Sequence, residues 1–378
     1  MPEPITCLFG PLAHLRLTTF AGQVLPQPSR NLNRELLKGA IFALVVSVFS
    51  NVSLDPFHES PNMDQVPTFL EASAVKQLTS HTYSGLLSKA YCIGAVPNGG
   101  YVAAVILRAA ATHMTTTHAK VSPPQHHAIS FNGMFMIKTN AGPVELKVTD
   151  TKIGRGYSVL HIELLQEGMK CVNAYVTMTN IDNESGPTLN TYWKKPETGL
   201  VGRKNLDQLL TPEGVKGWYE RPKPFADFRE VSKRTRFFST VEDTPGVVNN
   251  WGTFANPAES ITNEAIALIA DLFVGVVEQM DPEGWKDDGN QKFPSAKYWY
   301  PTLSLSIDVK KALPKEGVKW VFSKVHSQQV KNGRWDLQVV MLDEDGELLA
   351  TSTQVALMVD ASRNTKPRGK REIPATKL

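Results

Sequence analysis

The 378-residue sequence is built twice over: two stretches of similar length run through the same order of strands, helix and turns. In the first, Tyr101 to Met114 is an alanine-rich run with Val102, Val105, Ile106 and Ala109 on one helical face, opened by the turn Pro97-Asn98-Gly99-Gly100. Strand patterns precede it at Val75 to Leu87 and Tyr91 to Val96. Others follow at Ala128 to Ile137, Pro143 to Ile153, Tyr157 to Gln166 and Lys170 to Asn180, separated by charged or glycine-containing breaks. The second stretch predicts strands at Arg229 to Val241 and Trp251 to Phe254. A long helix from Ser260 to Gln279 comes next, with Ser260 or Thr262 as N-cap. Strands are then expected at Thr302 to Val309, Trp320 to Val330, Trp335 to Leu342 and Leu348 to Val359. The spacings agree: Gly100 to Ser130 is 30 residues, and Asp271 to Thr302 is 31. Each half then has a Gly-Arg turn (Gly154-Arg155, Gly333-Arg334) and two strands joined at Glu167-Gly168 or Asp345-Gly346. The simplest fold that satisfies this pattern is a duplicated α+β unit, each copy a central helix wrapped by an antiparallel sheet.

The organisation follows from where the pattern starts and stops. Residues 1–62 carry Arg16, Arg30, Arg34 and Lys38 with few acids and lack the strand-turn alternation. They read as an N-terminal extension: either a targeting or anchoring segment with one helix over Asn33 to Phe49, or a disordered leader. Residues 63–182 form the first repeat, and 183–223 a Pro- and Gly-rich connector with a short helical candidate at Asn205 to Leu210. The second repeat spans 224–362. Residues 363–378 are a basic tail without periodicity, expected to be disordered.

Composition narrows the function classes. The net charge of +3 comes from scattered basic residues rather than a stripe, so nucleic acid is not an expected partner. No apolar run reaches the roughly 18 residues of a membrane span, and stable membrane insertion is not expected. The three cysteines (Cys7, Cys92 and Cys171) have no CxxC spacing, which argues against a disulfide framework and a zinc site. His126 and His127 are strand neighbours whose side chains point to opposite faces, so they make no metal site by themselves. No Gly-x-Ser-x-Gly elbow, His-Glu-x-x-His or dinucleotide fingerprint occurs, and no metal or cofactor is called for.

The residues that carry a family resemblance are Pro97-Asn98-Gly99-Gly100-Tyr101, His127-Ala128-Ile129-Ser130-Phe131, Gly154-Arg155-Gly156-Tyr157-Ser158 and Leu164-Leu165-Gln166-Glu167-Gly168. In the second half they are Leu268-Ile269-Ala270-Asp271, Pro301-Thr302-Leu303-Ser304, Gly333-Arg334, Asp345-Gly346 and Ser352-Thr353-Gln354. From about Met63 to Asp360 the chain resembles the acyl-CoA thioesterases with two tandem hotdog folds, in a fungal thioesterase-like branch. The resemblance implies an α+β double hotdog that takes an acyl-CoA or a carrier-protein acyl thioester as substrate. In bacterial members an Asp, a Thr and a Gln of the second repeat hold the attacking water, and the matching residues are Asp271, Thr302 and Gln354. Each has a plainer reading: a structural hydrogen bond for Asp271, β-propensity for Thr302, a backbone cap for Gln354.

The first repeat should supply the other wall of the site. Asn98, Gly99, Gly100 and Tyr101 are the expected substrate-binding residues, with free backbone N–H groups at the start of the helix facing a thioester carbonyl. The alternative is a tight turn in which the glycines adopt positive φ. The acyl chain is expected between the two central helices. Where bacterial members have a His- and Arg-containing stretch this chain has Asp308-Val309-Lys310-Lys311, and Val355-Ala356 replaces Glu-Gly after the Gln. Those departures leave CoA and carrier protein both open. Hydrolysis leads, ahead of a non-hydrolytic protein that binds or cyclises an acyl or polyketide chain. A dehydratase ranks third, because no His lies between Trp251 and Val277. A cytoplasmic location is expected; the final Thr-Lys-Leu is one substitution from a peroxisomal address. Homo-oligomers are common for this fold.

Overall fold

The computed structural model describes residues 66–223, 225–240, 246–272, 275–280 and 297–369. The chain divides into two units, Met1–Asp64 and Gln65–Leu378. The first unit, with the expected extension and its helix over Asn33 to Phe49, lies outside the described residues, as does the C-terminal Thr-Lys-Leu.

In the first repeat, strands β1 (Val75–Thr79) and β2 (Thr82–Leu87) form a hairpin. The single strand expected over Val75 to Leu87 is broken at Ser80-His81, where the chain turns back on itself. Tyr91 to Val96 is likewise not a strand. It is a one-turn 3-10 helix at Lys89–Tyr91 and a small pairing of Cys92–Ile93 with Val96–Pro97. Helix α1 (Gly99–Thr116) starts two residues before the expected Tyr101, because the Asn98 side chain accepts the Tyr101 N–H at 3.0 Å and caps it. The alanines keep α1 slim enough to be buried on nearly every side, from Gly100 through Ala110. Strands β3 (His127–Phe135), β4 (Gly142–Lys152), β5 (Ser158–Gln166) and β6 (Met169–Thr179) wrap it, with Leu146, Leu160, Ile162, Leu164 and Val176 turned inward.

The second repeat copies this with an added edge strand and a broken central helix. Strand β7 (Trp218–Glu220) adds an edge to β8 (Thr235–Thr240), which pairs with β9 (Val247–Phe254). The strand expected from Arg229 begins only at Thr235, after a 3-10 turn at Glu230–Arg234. The long helix expected over Ser260 to Gln279 is broken into α2 (Ala265–Asp271) and α3 (Val276–Met280). Neither expected cap is used: Ile261 bridges Val318, and Glu264 stands at the N-cap. The break has a backbone cause. Leu272 leaves the helical region (φ −95°, ψ 72°) and Gly275 sits at φ +114°, a value that only glycine adopts without strain. Strands β10 (Thr302–Val309), β11 (Val321–His326), β12 (Arg334–Leu342) and β13 (Leu348–Leu357) complete the repeat.

All these strands belong to one 14-stranded sheet in the order β1-β2-β4-β5-β6-β3-β10-β13-β12-β11-β9-β8-β7, with Val330–Lys331 paired to β12. The halves join where β3 and β10 run antiparallel, with Leu305 opposite Gly133 and Ile307 opposite Phe131. About that seam, β2-β4-β5-β6-β3 and β9-β11-β12-β13-β10 are the same arrangement twice. One core cluster joins both central helices to the inner face of the sheet.

The helical candidate of the connector is found, as a helix over Arg203–Leu206 and a 3-10 turn over Asp207–Leu210, while the disorder expected of the tail is corrected. The connector is packed rather than merely linking: Leu206 and Leu209 lie against Trp251, Trp320 and Phe322, and Asp207 accepts the Trp320 indole N–H at 2.9 Å. These aromatics crowd the outer face of the sheet, which would otherwise expose them to water. The tail is also ordered as far as it is described. Ala361–Asn364 forms a 3-10 turn, and the Arg368 guanidinium donates to Lys138 O at 2.8 Å while Asn140 Oδ1 accepts the Arg368 N–H at 2.8 Å. Cys92 and Cys171 are buried free thiols, and burial pushes the Cys92 thiol up to about 12.

Candidate active site

The two central helices pack side by side and antiparallel: Gly100 lies against Ala267 and Asp271, and Arg108 pairs with Glu264 at 3.4 Å further along. Asp271, the last residue of α2, faces the first turn of α1. Its Oδ2 accepts the Gly100 N–H at 2.9 Å and an Asn98 side-chain N–H at 2.8 Å. Its Oδ1 accepts the Thr302 hydroxyl at 3.1 Å, from the first residue of β10. A carboxylate only 5% exposed is therefore met by three donors and by the positive end of a long helix. Burial wins over these donors. It pushes the Asp271 carboxyl up to about 6, against the lowering effect of Gly100, Thr302, Asn98 and the Gly99 backbone.

The close approach explains the glycine pair. Gly99 and Gly100 are absent from the positive-φ residues, so the tight-turn alternative fails. A Cβ on Gly100 would stand 2.1 Å from Ala267 O and 2.7 Å from Asp271 Cβ; one on Gly99 would stand 3.1 Å from Asp271 Oδ2. Space, not backbone conformation, requires glycine here.

Asp271, Thr302, Asn98 and Gly99 all line one cavity of about 210 Å³. Ile93, Val96, Val102, Phe135, Val172 and Val277 supply its apolar wall. The cavity does not run along the central helices as expected: Gly100 and Ala267 pack closely, and beyond them the space between Leu107, Ala111, Ile266 and Ala267 is small, about 30 Å³. The cavity lies at the helix ends, enclosed by residues 135–139 and 298–303.

Three expectations about individual residues change. Gln354 is buried but is absent from the cavity lining; its Nε2 donates to Ala270 O at 2.9 Å, one residue before Asp271. The Gly100 N–H is not free for a thioester carbonyl, because Asp271 accepts it. Tyr101 is wholly buried and points into the hairpin instead: its hydroxyl donates to Ala72 O at 2.6 Å and accepts the Ser88 N–H at 3.0 Å. Sequence reasoning missed Lys138 and the buried Arg229, both of which line the cavity. Arg229 stood in what read as a strand, so no sequence signal separated it from the other basic residues.

The acyl-CoA thioesterase N-terminal domain matches residues 87–179, and the acyl-CoA thioesterase C-terminal domain matches residues 205–358. The chain belongs to the acyl-CoA thioesterase family. Among relatives in this family, the thioesterase-like protein TwmA of Talaromyces wortmannii is 32% identical over 332 residues, covering 79% of this chain and 93% of that protein. Solved structures agree on the fold of the family member described here. A protein assigned as a thioesterase II from Thermobifida fusca superposes with a TM-score of 0.56 at 19% identity, over 78% of this chain and 99% of that one. A hot dog fold protein from Alicyclobacillus acidocaldarius gives 0.55 at 15% identity, over 78% and 99%. The expected double hotdog of the thioesterase family is thus the fold found, and no described helix is long and apolar enough to cross a membrane.

Proposed function

We propose that the chain hydrolyses an acyl thioester, with Asp271 as general base. The observation that carries this is a buried carboxylate, clamped by Thr302, Asn98 and Gly100 at the wall of an apolar cavity. A base works best when its pKa lies just below the working pH, and a carboxyl at about 6 meets that condition far better than an ordinary aspartate. A water beside Oδ1 gives a proton to Asp271 while its oxygen attacks the thioester carbonyl. The C–S bond then breaks, the thiolate takes up the proton, and a free acid and a thiol result. Thr302 orients the carboxylate. Gln354 acts as a positioning residue by fixing the end of α2 through Ala270.

The acyl chain lies along the apolar wall, and Arg229 and Lys138 favour an anionic thiol carrier such as CoA or a phosphopantetheine arm. A second reading has one observation in its favour. With Gln354 turned to Ala270, only two of the three expected water-holding groups reach the cavity, as suits a protein that binds or cyclises an acyl chain without hydrolysis. A thiol-release assay over acyl-CoA and acyl-carrier substrates decides between them. Thiol release that disappears in Asp271→Asn supports hydrolysis; binding of acyl thioesters without release from any of them supports the second reading.

A further inference from the structure

Three histidines converge on one aspartate at the far end of α1. His81 lies in the β1–β2 turn, His113 in the last turn of α1, His118 just beyond it and Asp150 on β4. The His113 Nε2 is 2.8 Å from Asp150 Oδ1, and the His118 and His81 Nε2 atoms are 2.9 and 3.2 Å from Oδ2. The rings stand edge to face about His113, with centroids 5.1 and 5.0 Å from it. We infer that His81, His113, His118 and Asp150 form a binding site for a divalent transition ion of the zinc type.

The donor set is the first support. Three imidazole nitrogens and one carboxylate oxygen fill a tetrahedron, and four protein ligands describe a closed structural site rather than a catalytic one. The His81, His113 and Asp150 ligand atoms lie within 4.8 Å of one another. Bonds of about 2.05 Å would place neighbouring ligand atoms about 3.4 Å apart, so small side-chain shifts bring these three to an ion, and His118, which lies outside that group but 2.9 Å from Asp150 Oδ2, turns in to complete the set.

The second support is what holds the rings from behind. The His113 Nδ1 is 3.0 Å from the Tyr83 hydroxyl, and the His81 Nδ1 is 2.8 Å from Ser80 Oγ. The Tyr83 oxygen also accepts from Gln77 Nε2 at 3.2 Å and is 3.4 Å from Ser80 O, the acceptor for its own proton. Its remaining role toward His113 is then to accept an Nδ1–H. Without an ion, the 2.8 Å contact holds a proton that His113 Nε2 donates to Asp150 Oδ1; an ion takes the place of that proton while Tyr83 keeps the Nδ1–H, which is the arrangement a metal-bound histidine requires. His113 is wholly buried, whereas His81 and His118 are 45% and 20% exposed, which gives an ion a path in.

His81, His113 and Asp150 come from separate places in the sequence, and only His113 and His118, five residues apart, show a spacing that zinc ligands use. Thirteen residues of α1 separate His113 from Gly100, about 20 Å at 1.5 Å per residue. The ion would therefore tie the first hairpin, the end of α1 and β4 together without touching the chemistry at Asp271. The inference stands independently of the hydrolase proposal.

The test is titration of the metal-free, untagged, full-length chain with cobalt(II), then displacement by zinc(II). One equivalent should bind with the visible absorption of a tetrahedral nitrogen-oxygen site, and zinc at a hundredfold excess over Kd should raise Tm by about 4 °C. His118→Ala and Asp150→Asn should each weaken binding by about 100-fold or more, while circular dichroism stays unchanged. His126→Ala, at the other His-His-Asp group (His126, His127 and Asp182), should leave binding intact. If Asp150→Asn does not fold, His81→Gln in the exposed turn gives the same reading. The inference is overturned if no stoichiometric ion binds, or if binding survives His118→Ala and is lost in His126→Ala.

Discussion

Asp271→Asn should make the protein at once less active and more stable. In the folded chain the carboxyl titrates at about 6 instead of its ordinary 3.8. At 1.36 kcal/mol per tenfold change in proton affinity, holding it ionised costs the fold about 3 kcal/mol. The sign follows from proton counting. Below about pH 4 both folded and unfolded states are protonated and no penalty exists. As pH rises from about 4 through 6, the unfolded state ionises first, and the folded state loses stability until the penalty is complete near pH 7. Asparagine carries no charge, keeps an oxygen for Gly100 and Asn98, and can donate to the Thr302 oxygen. At pH 8 the variant should therefore be more stable by up to about 3 kcal/mol, or about 5 °C in Tm for a unit of this size. The gap should close below pH 4. Turnover in the thiol-release assay should fall by about 100-fold or more. Scanning calorimetry at pH 4 and pH 8, beside the activity assay, checks both halves. Full activity in the variant would refute the assignment of the base; an unchanged pH dependence of stability would refute the account of the buried charge.

Other perturbations probe neighbouring parts of the site. The wild-type rate should rise with pH through an apparent pKa near 6 and level off above 7, since the base must be ionised; a flat profile from pH 5 to 8 would contradict this. Thr302→Val removes a donor that lowers the Asp271 pKa, so the rate should drop about 10-fold and the profile should move to higher pH, with Thr302→Ser restoring both. Gln354→Leu should lower the rate and move that profile, whereas a residue that only packs would change Tm alone. Gly100→Ala forces a methyl to within 2.1 Å of Ala267 O; denaturant titration should show a loss of at least about 3 kcal/mol, because backbone on both sides resists movement.

The duplication was legible because strand alternation and turn chemistry are local properties, and they recur in both halves at nearly equal spacing. The seam between β3 and β10 follows once the two copies are recognised. What escaped was decided by contacts across the molecule. The continuous helix over Ser260 to Gln279 satisfies local propensity, but Gly275 at φ +114° and the Leu272 turn break it. Tyr101 sits beside the site in sequence, yet its position on α1 sends its ring to the hairpin, 100° per residue away from where Asn98 and Gly99 face. Gln354 was found by its place in the chain, but only the register of β13 reveals that its amide reaches Ala270. Leu206 and Leu209 looked like linker because their partners, Trp251 and Trp320, lie more than 40 residues further along the sequence.

Gly100, in the first turn of the central helix in one copy, touches Asp271, at the end of the central helix in the other. Were the halves identical subunits of a dimer, two-fold symmetry would repeat that contact, so each donor and acceptor pair across the helices would occur twice. Covalent fusion lifts that symmetry, so one copy can offer a proton donor and the other its acceptor. A single polarised centre, instead of two equal ones, is what a tandem chain can build and a homodimer cannot.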